Sequence, residues 1–233
     1  MAEIDARGIR KVYGDLVAID DVDVAAESGE LVSIVGPSGC GKSTFLHIVG
    51  GFVEPSGGTV SIDGKAGIVF QEPTLFAWKT VLGNVGFGLP RRERARAREY
   101  VELVKLGGFE RAYPKELSGG MKQRVALARS LIMDPDVLLM DEPFAAVDAQ
   151  TRSALQAELL QIWERSKMTV LFVTHSVDEA LFLSDRVYVL SQRPARVKEV
   201  LEVGLSRPRD REKILAEPIY RELHARIWSL LEA

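Results

Sequence analysis

The sequence predicts an α/β protein built on a mostly parallel sheet, and three features carry that expectation. Short valine- and isoleucine-rich runs recur along the chain, segments of helical periodicity separate them, and a glycine-rich loop joins one such run to a helix. Leu31–Val35, Val137–Met140, Thr169–Thr174 and Arg186–Leu190 are the apolar runs, and their continuity implies cover on both faces. The amino-terminal part differs. Ile4–Val12, Leu16–Ala25 and Thr59–Ile62 are broken by Gly, Asp and Ser, which predicts a smaller antiparallel sheet.

Between Pro73 and Met133 the strand signal disappears, and helices are expected over Arg91–Leu106 and Gly119–Met133. Arg91–Arg98 is strongly basic, but Glu93 interrupts it and Glu99 follows it, and no aromatics interleave, so it reads as a solvated helix face. Asp148–Arg165 is a further helix, with Leu155, Leu159, Ile162 and Trp163 on one face. Ser176 and Glu179 have capping-box spacing at the start of another. In the tail, Ile219, Tyr220, Leu223, Ile227, Leu230 and Leu231 recur at helical spacing, as expected of a helix packed on the body.

Composition narrows the function. With 46% hydrophobic and 27% charged residues, the 233-residue chain has the balance of a globular protein rather than a disordered one. A net charge of −3 gives no bulk electrostatic reason to expect a nucleic-acid partner. The single cysteine, Cys40, excludes an internal disulfide framework and fits a reducing compartment. No apolar run approaches the roughly 20 residues that span a bilayer, and the charged amino terminus lacks a secretory core. A cytoplasmic protein that reaches a membrane only through another polypeptide is expected.

The loop Gly36, Pro37, Ser38, Gly39, Cys40, Gly41, Lys42, Ser43, Thr44 follows a strand and opens a helix, the context a phosphate-binding loop requires. Its glycines let successive N–H groups converge on phosphates, and the helix dipole favours the same charge. Lys42 is expected on the β- and γ-phosphates and Ser43 on Mg²⁺. Cys40, at a helix N-terminus, is a candidate for a lowered thiol pKa, although filling a loop position is the simpler reading. The strand Val137–Met140 runs into Asp141 and Glu142. Asp141 suits the Mg²⁺ shell, and Glu142 suits a general base that polarises the attacking water. Together these residues describe a nucleoside-triphosphatase.

Leu117-Ser118-Gly119-Gly120-Met121 resembles the signature motif of the ABC ATPases, usually written LSGGQ, and the resemblance extends over almost the whole chain. It implies a P-loop NTPase (RecA-like) core with an antiparallel β subdomain over about 1–72 and 134–205, a helical subdomain over about 73–133 and a helical tail over about 206–233. It also implies an ATP-hydrolysing subunit that dimerises head to tail, Ser118, Gly119 and Gly120 of one copy meeting the γ-phosphate held by the other. Tyr13 resembles the aromatic that stacks on adenine, and Gln71 the glutamine that senses Mg²⁺ and the attacking water. Asp148, in Ala146–Ala149, resembles the aspartate that crosses the dimer interface, and His175 the switch histidine at the γ-phosphate. Met121 in place of the usual glutamine and Val147 in place of a frequent leucine depart from the pattern.

FQEPTLFAWKTVLGNVGFGL at Phe70–Leu89, DEPFAAVDAQTR at Asp141–Arg152 and THSVDEALFLSDRVYVLSQRPARV at Thr174–Val197 are similar to nitrate, sulfonate and taurine import ATPases, whose relatives also handle pyrimidine precursors of thiamine. This implies a bacterial importer subunit peripheral to the cytoplasmic face of the inner membrane. Separate permease subunits and, indirectly, a solute-binding protein would be its partners. An exporter subunit or a non-transport ABC protein is the alternative. Phe76 and Trp78 are candidates for the permease contact, or for packing within the helical insertion.

Overall fold

The computed structural model describes residues 2–145 and 147–232, with Ala2 by its backbone alone, so Ala146 of the Ala146–Ala149 segment lies outside the described residues. In chain order the elements are β1 (Ala2–Tyr13), β2 (Leu16–Glu27), β3 (Leu31–Val35), α1 (Lys42–Val49), β4 (Gly57–Ile62), β5 (Ala66–Val69), α2 (Val81–Val85), α3 (Arg96–Leu103) and α4 (Gly119–Leu131). They continue as β6 (Val137–Asp141), α5 (Ala149–Ser166), β7 (Thr169–Thr174), α6 (Val177–Leu183), β8 (Arg186–Leu190), β9 (Val197–Glu202), α7 (Arg211–Ala216) and α8 (Pro218–Glu232). Two compact units result, one of residues 1–64 with 167–233 and one of residues 65–166.

In the first unit, β1 pairs antiparallel with β2 and β4 in the order β2-β1-β4. β3 lies between β7 and β8, parallel to both, and β9 adds antiparallel to β8. Every residue of β3 and β7 is buried, as their unbroken apolar sequences require. α1 packs on β4 and β7, and α6 packs on β3 and β7. The tail helix α8 rests on α6 and β8 through buried Tyr220 and Ile227, so the tail packs on the body as its periodicity predicts.

In the second unit, β5 and β6 pair in parallel. α4 packs against α2, α3, α5 and β5. Val85, Val101, Leu106, Val125 and Ile132 form the centre of this apolar cluster. At its margin Glu158 of α5 is buried between Arg124, at 2.7 Å, and Lys105, at 3.0 Å.

The expected helix over Arg91–Leu106 is shorter than its periodicity suggests. Residues Arg91–Glu93 form a 3-10 turn after Pro90, and the α-helix covers only Arg96–Leu103. Lys105 takes a left-handed conformation just beyond it, φ 54°, as at many helix ends.

Candidate functional site

The phosphate loop is positioned by β3 and the first turn of α1. In register, Val35 pairs with Thr174, so Gly36 and His175 both leave the carboxyl ends of neighbouring parallel strands, where ligands bind in open α/β sheets. Gly41 has φ 124°, and a Cβ there would lie 3.2 Å from the Ala18 carbonyl oxygen and from Ile19 Cγ1. Only glycine fits both constraints. Lys42 is buried, and its Nζ donates to the Gly36 and Pro37 carbonyls at 2.8 and 3.1 Å, holding the amine inside the curl of the loop. Ser43 and Thr44 open α1, while Ser38 and Gly39 are exposed at the rim.

Of the two readings of Cys40, the structure supports the simpler one, a side chain that fills a loop position, and not a lowered thiol pKa. Its side chain is 2% exposed, and burial pushes the thiol up; the nearby Lys42 opposes this only in part. Cys40 therefore packs beneath the loop and is not an activated thiolate.

His175 is exposed directly after β7, on a segment fixed from both sides. Thr174 Oγ1 donates to the Glu179 carboxylate at 2.6 Å and accepts from the Ser176 N–H at 3.0 Å. Ser176 Oγ accepts from the Glu179 N–H and caps α6. In the same first turn, the Tyr220 hydroxyl donates to Asp178, tying α8 to the start of α6. Tyr13 is 48% exposed at the end of β1, with the Lys11 ammonium 4.9 Å from its ring centroid.

The second unit carries the carboxylates, the glutamine and the signature segment. Val69 pairs with Met140, so the loop bearing Gln71 and the strand end bearing Asp141 emerge at one end of the β5–β6 pair. Asp141 is buried, Gln71 is exposed, and Glu142 is partly buried with φ 41°. Such a backbone is uncommon for a non-glycine residue and costs energy that the surrounding structure must offset.

Ser118 caps α4 by accepting from the Met121 N–H at 3.3 Å, leaving Ser118 and Gly119 exposed. Gly120 is buried, and a Cβ there would lie 2.6 Å from Thr151 Cγ2 of α5. The two departures from the family pattern, Met121 in the signature and Val147 in the segment carrying Asp148, both sit against packed residues. Met121 packs against the helical core, and Val147 is buried close to Gly120. Asp148 is fully exposed, and its carboxylate accepts from the Thr151 N–H at 3.0 Å, which holds it below the usual carboxylate range. In this chain Asp148 caps α5.

Two residues that organise this unit were not singled out from the sequence. Arg129 donates to the Pro73 and Thr74 carbonyls at 3.2 and 3.0 Å and lies over the Phe76 ring, fixing the loop after Gln71. Buried Asn84 accepts from the Phe76 N–H and donates to the carbonyls of Phe76, Lys79 and Thr80. The pinned loop presents Trp78, 74% exposed, its ring tilted against Phe76 with ring centroids 5.4 Å apart. Beside it Phe87, Lys79, Gly83 and Arg94 line an open groove of about 310 Å³. An Asn bonded to three residues of one loop is an organiser that composition alone does not flag.

The donor chemistry fits a magnesium nucleotide. The curled loop leaves no room for a Cβ at Gly41, and Ser43 and Asp141 offer hard oxygen donors of the kind Mg²⁺ takes. Among the described residues no group of three or more His, Cys, Asp or Glu could hold a metal.

The family model described as ABC transporter matches residues 19–145, more than half of the chain. The chain belongs to the ABC transporter ATP-binding family. This ABC ATPase is 53% identical over 211 residues to an uncharacterised ABC transporter ATP-binding protein of Methanocaldococcus jannaschii, covering 84% of this chain and 79% of the relative. It is 50% identical over 218 residues to an aliphatic sulfonates import ATP-binding protein of Pseudomonas savastanoi pv. phaseolicola, covering 93% and 90%. Among solved structures, a dimeric ATP-binding cassette in a post-hydrolysis state with ADP and Pi superposes with a TM-score of 0.77 at 31% identity, over 87% of this chain and all of that one. The ABC ATPase is thus an ATP-binding, ATP-hydrolysing transport subunit. Among the described residues no helix is long and apolar enough to cross a membrane.

Proposed function

We propose that the chain is the ATP-hydrolysing subunit of a bacterial importer of small solutes of the sulfonate, taurine or nitrate type. It works as a head-to-tail homodimer against separate permease subunits at the cytoplasmic face of the inner membrane, fed by a solute-binding protein. The observation that carries the reading is the capped signature helix, with Ser118 and Gly119 exposed at its N-terminus and Gly120 locked against α5. Those exposed groups suit an anion brought by a second copy. The exposed Trp78 beside its groove supports permease docking.

In this reading Gly36–Thr44 binds the triphosphate, with the Lys42 amine on its β- and γ-oxygens, and Tyr13 stacks on the base. Ser43, Asp141 and Gln71 would hold Mg²⁺, which when bound neutralises phosphate charge. Glu142 takes a proton from the attacking water as that water moves in line with the γ-phosphate. His175 and the partner copy's signature segment stabilise the charge that spreads over the transferred group. Asp148 contacts the second copy while capping α5.

The test is Mg²⁺-dependent ATP hydrolysis by wild type and Glu142→Gln, with mass followed by light scattering. Glu142→Gln should lower kcat by at least 100-fold while retaining ATP, and should accumulate an ATP-dependent dimer. Near-normal hydrolysis by the variant would remove Glu142 from the base role. No dimer under any nucleotide would remove the sandwich.

A further inference from the structure

The turn between β8 and β9, residues 191–196, has no part in the roles assigned above, yet it is built against the phosphate loop. It is internally closed. Ser191 N–H donates to the Arg196 carbonyl at 2.9 Å, and Ser191 Oγ accepts from the Arg196 N–H at 3.0 Å. It is also clamped to β2. Ala195 N–H donates to the Ala18 carbonyl, Asp20 N–H donates to the Ala195 carbonyl, and the Arg196 guanidinium meets the Asp20 carboxylate.

Fixed in this way, the turn touches the phosphate loop at two points. Ala195 lies against Gly41, with its Cβ 3.7 Å from where a Gly41 Cβ would stand. Arg193 extends over the rim, where Nε donates to the Gly39 carbonyl at 3.1 Å and Nη2 donates to the same oxygen.

Gly39 has φ 75°, and its carbonyl points to the guanidinium. Were that carbonyl to turn inward, its oxygen would face phosphate oxygens and repel them. Held outward, it leaves the loop's N–H groups as the inward-facing surface, and the guanidinium adds a permanent positive charge at the rim. Lysine could supply the charge but not two donors on a planar fork.

We infer that Arg193 is a positioning residue for the phosphate cradle and sets the affinity for the diphosphate part of the nucleotide. The inference rests on Gly36–Thr44 being the nucleotide site. Because the contact is to the loop and not to the γ-phosphate, ADP and ATP lose affinity together. A hydrogen bond to a charged group is worth about a tenfold change in affinity.

The experiment is calorimetric titration of the purified full chain with ADP and with ATP in Mg²⁺ buffer, alongside ATPase kinetics, for wild type, Arg193→Met, Arg193→Lys and Lys42→Ala. Arg193→Met should raise Kd for ADP and ATP alike by about tenfold and raise KM similarly, with kcat falling less than threefold. Arg193→Lys, keeping charge without the fork, should raise both about threefold. The melting temperature of nucleotide-free Arg193→Met should stay close to that of wild type. The inference is overturned by unchanged affinities in Arg193→Met, by a loss confined to ATP, or by a fall in kcat at constant KM. It is equally overturned by Arg193→Met melting far below wild type while Arg193→Lys binds normally, because the turn then only holds the fold together. If wild type binds no nucleotide, or Lys42→Ala binds as well as wild type, the nucleotide-site reading fails first and takes the inference with it.

Discussion

Cys40 sits between two glycines of the phosphate loop, yet its side chain points into the protein, where a Cβ at Gly36 would come within 2.9 Å of its sulfur. Burial favours the neutral thiol and outweighs the nearby ammonium of Lys42. The folded-state pKa is therefore raised, so the stabilisation of the neutral form is complete below the ordinary thiol value of about 8.5 and fades as pH climbs through the folded value. Iodoacetamide at pH 8 should modify native Cys40 at least tenfold more slowly than a free cysteine in a short peptide, read by mass spectrometry. A rate equal to that of the peptide would mean an exposed or ionised thiol. The helix N-terminus suggests a lowered pKa, whereas the simpler sequence reading, a residue filling the loop, is the one the fold bears out. The direction of the side chain and the depth of its burial, which decide between them, are not written in the residue order.

Among the elements, α4 and α5 are held by one buried carboxylate. Glu158 accepts from Arg124, which also donates to the Val104 carbonyl, so α5, α4 and the end of α3 meet at one charge. Lys105, on the exposed side, adds little. Removing the carboxylate leaves the part-buried Arg124 charge partly unpaired, a loss of roughly 1–3 kcal/mol. Glu158→Ala should thus unfold at a clearly lower urea concentration than wild type, and Lys105→Ala should change the midpoint little; equal midpoints for Glu158→Ala and wild type would refute the account. The buried strands β3, β6, β7 and β8 were legible because continuous apolar runs have few other uses. β9 was not, since Val197–Glu202 alternates half-buried with exposed residues at a sheet edge. β5 and α2 were also missed, being four and five residues long and each containing glycine. The phosphate loop was legible because its chemistry demands glycines in sequence. Arg193 was not, because it lies 154 residues from the carbonyl it holds and only folding brings them together.

For the whole molecule, nucleotide binding and folding are one equilibrium. The Lys42 amine and the backbone of Gly36–Gly41 exist as a cradle only in the folded state, so ligand adds its binding energy to stability. ADP at 100 times its Kd should stabilise the protein by about 2.7 kcal/mol, visible as a raised unfolding temperature, and Lys42→Ala should lose most of that increment. An equal rise in both proteins would place the nucleotide elsewhere. The division into units also orders events at the ribosome. Residues 65–166 are contiguous and can gather their core as soon as they emerge, whereas the unit holding the phosphate loop is interrupted by them. Its central strand β3 needs β7 and β8 on either side, and both are synthesised more than 130 residues later. A nascent chain therefore exposes the loop Gly36–Thr44, the nucleotide site in the proposed reading, long before it can be assembled, and for that interval the apolar β3 segment has no strand on either side. During translation it is this segment, rather than the helical unit, that calls for protection by a chaperone.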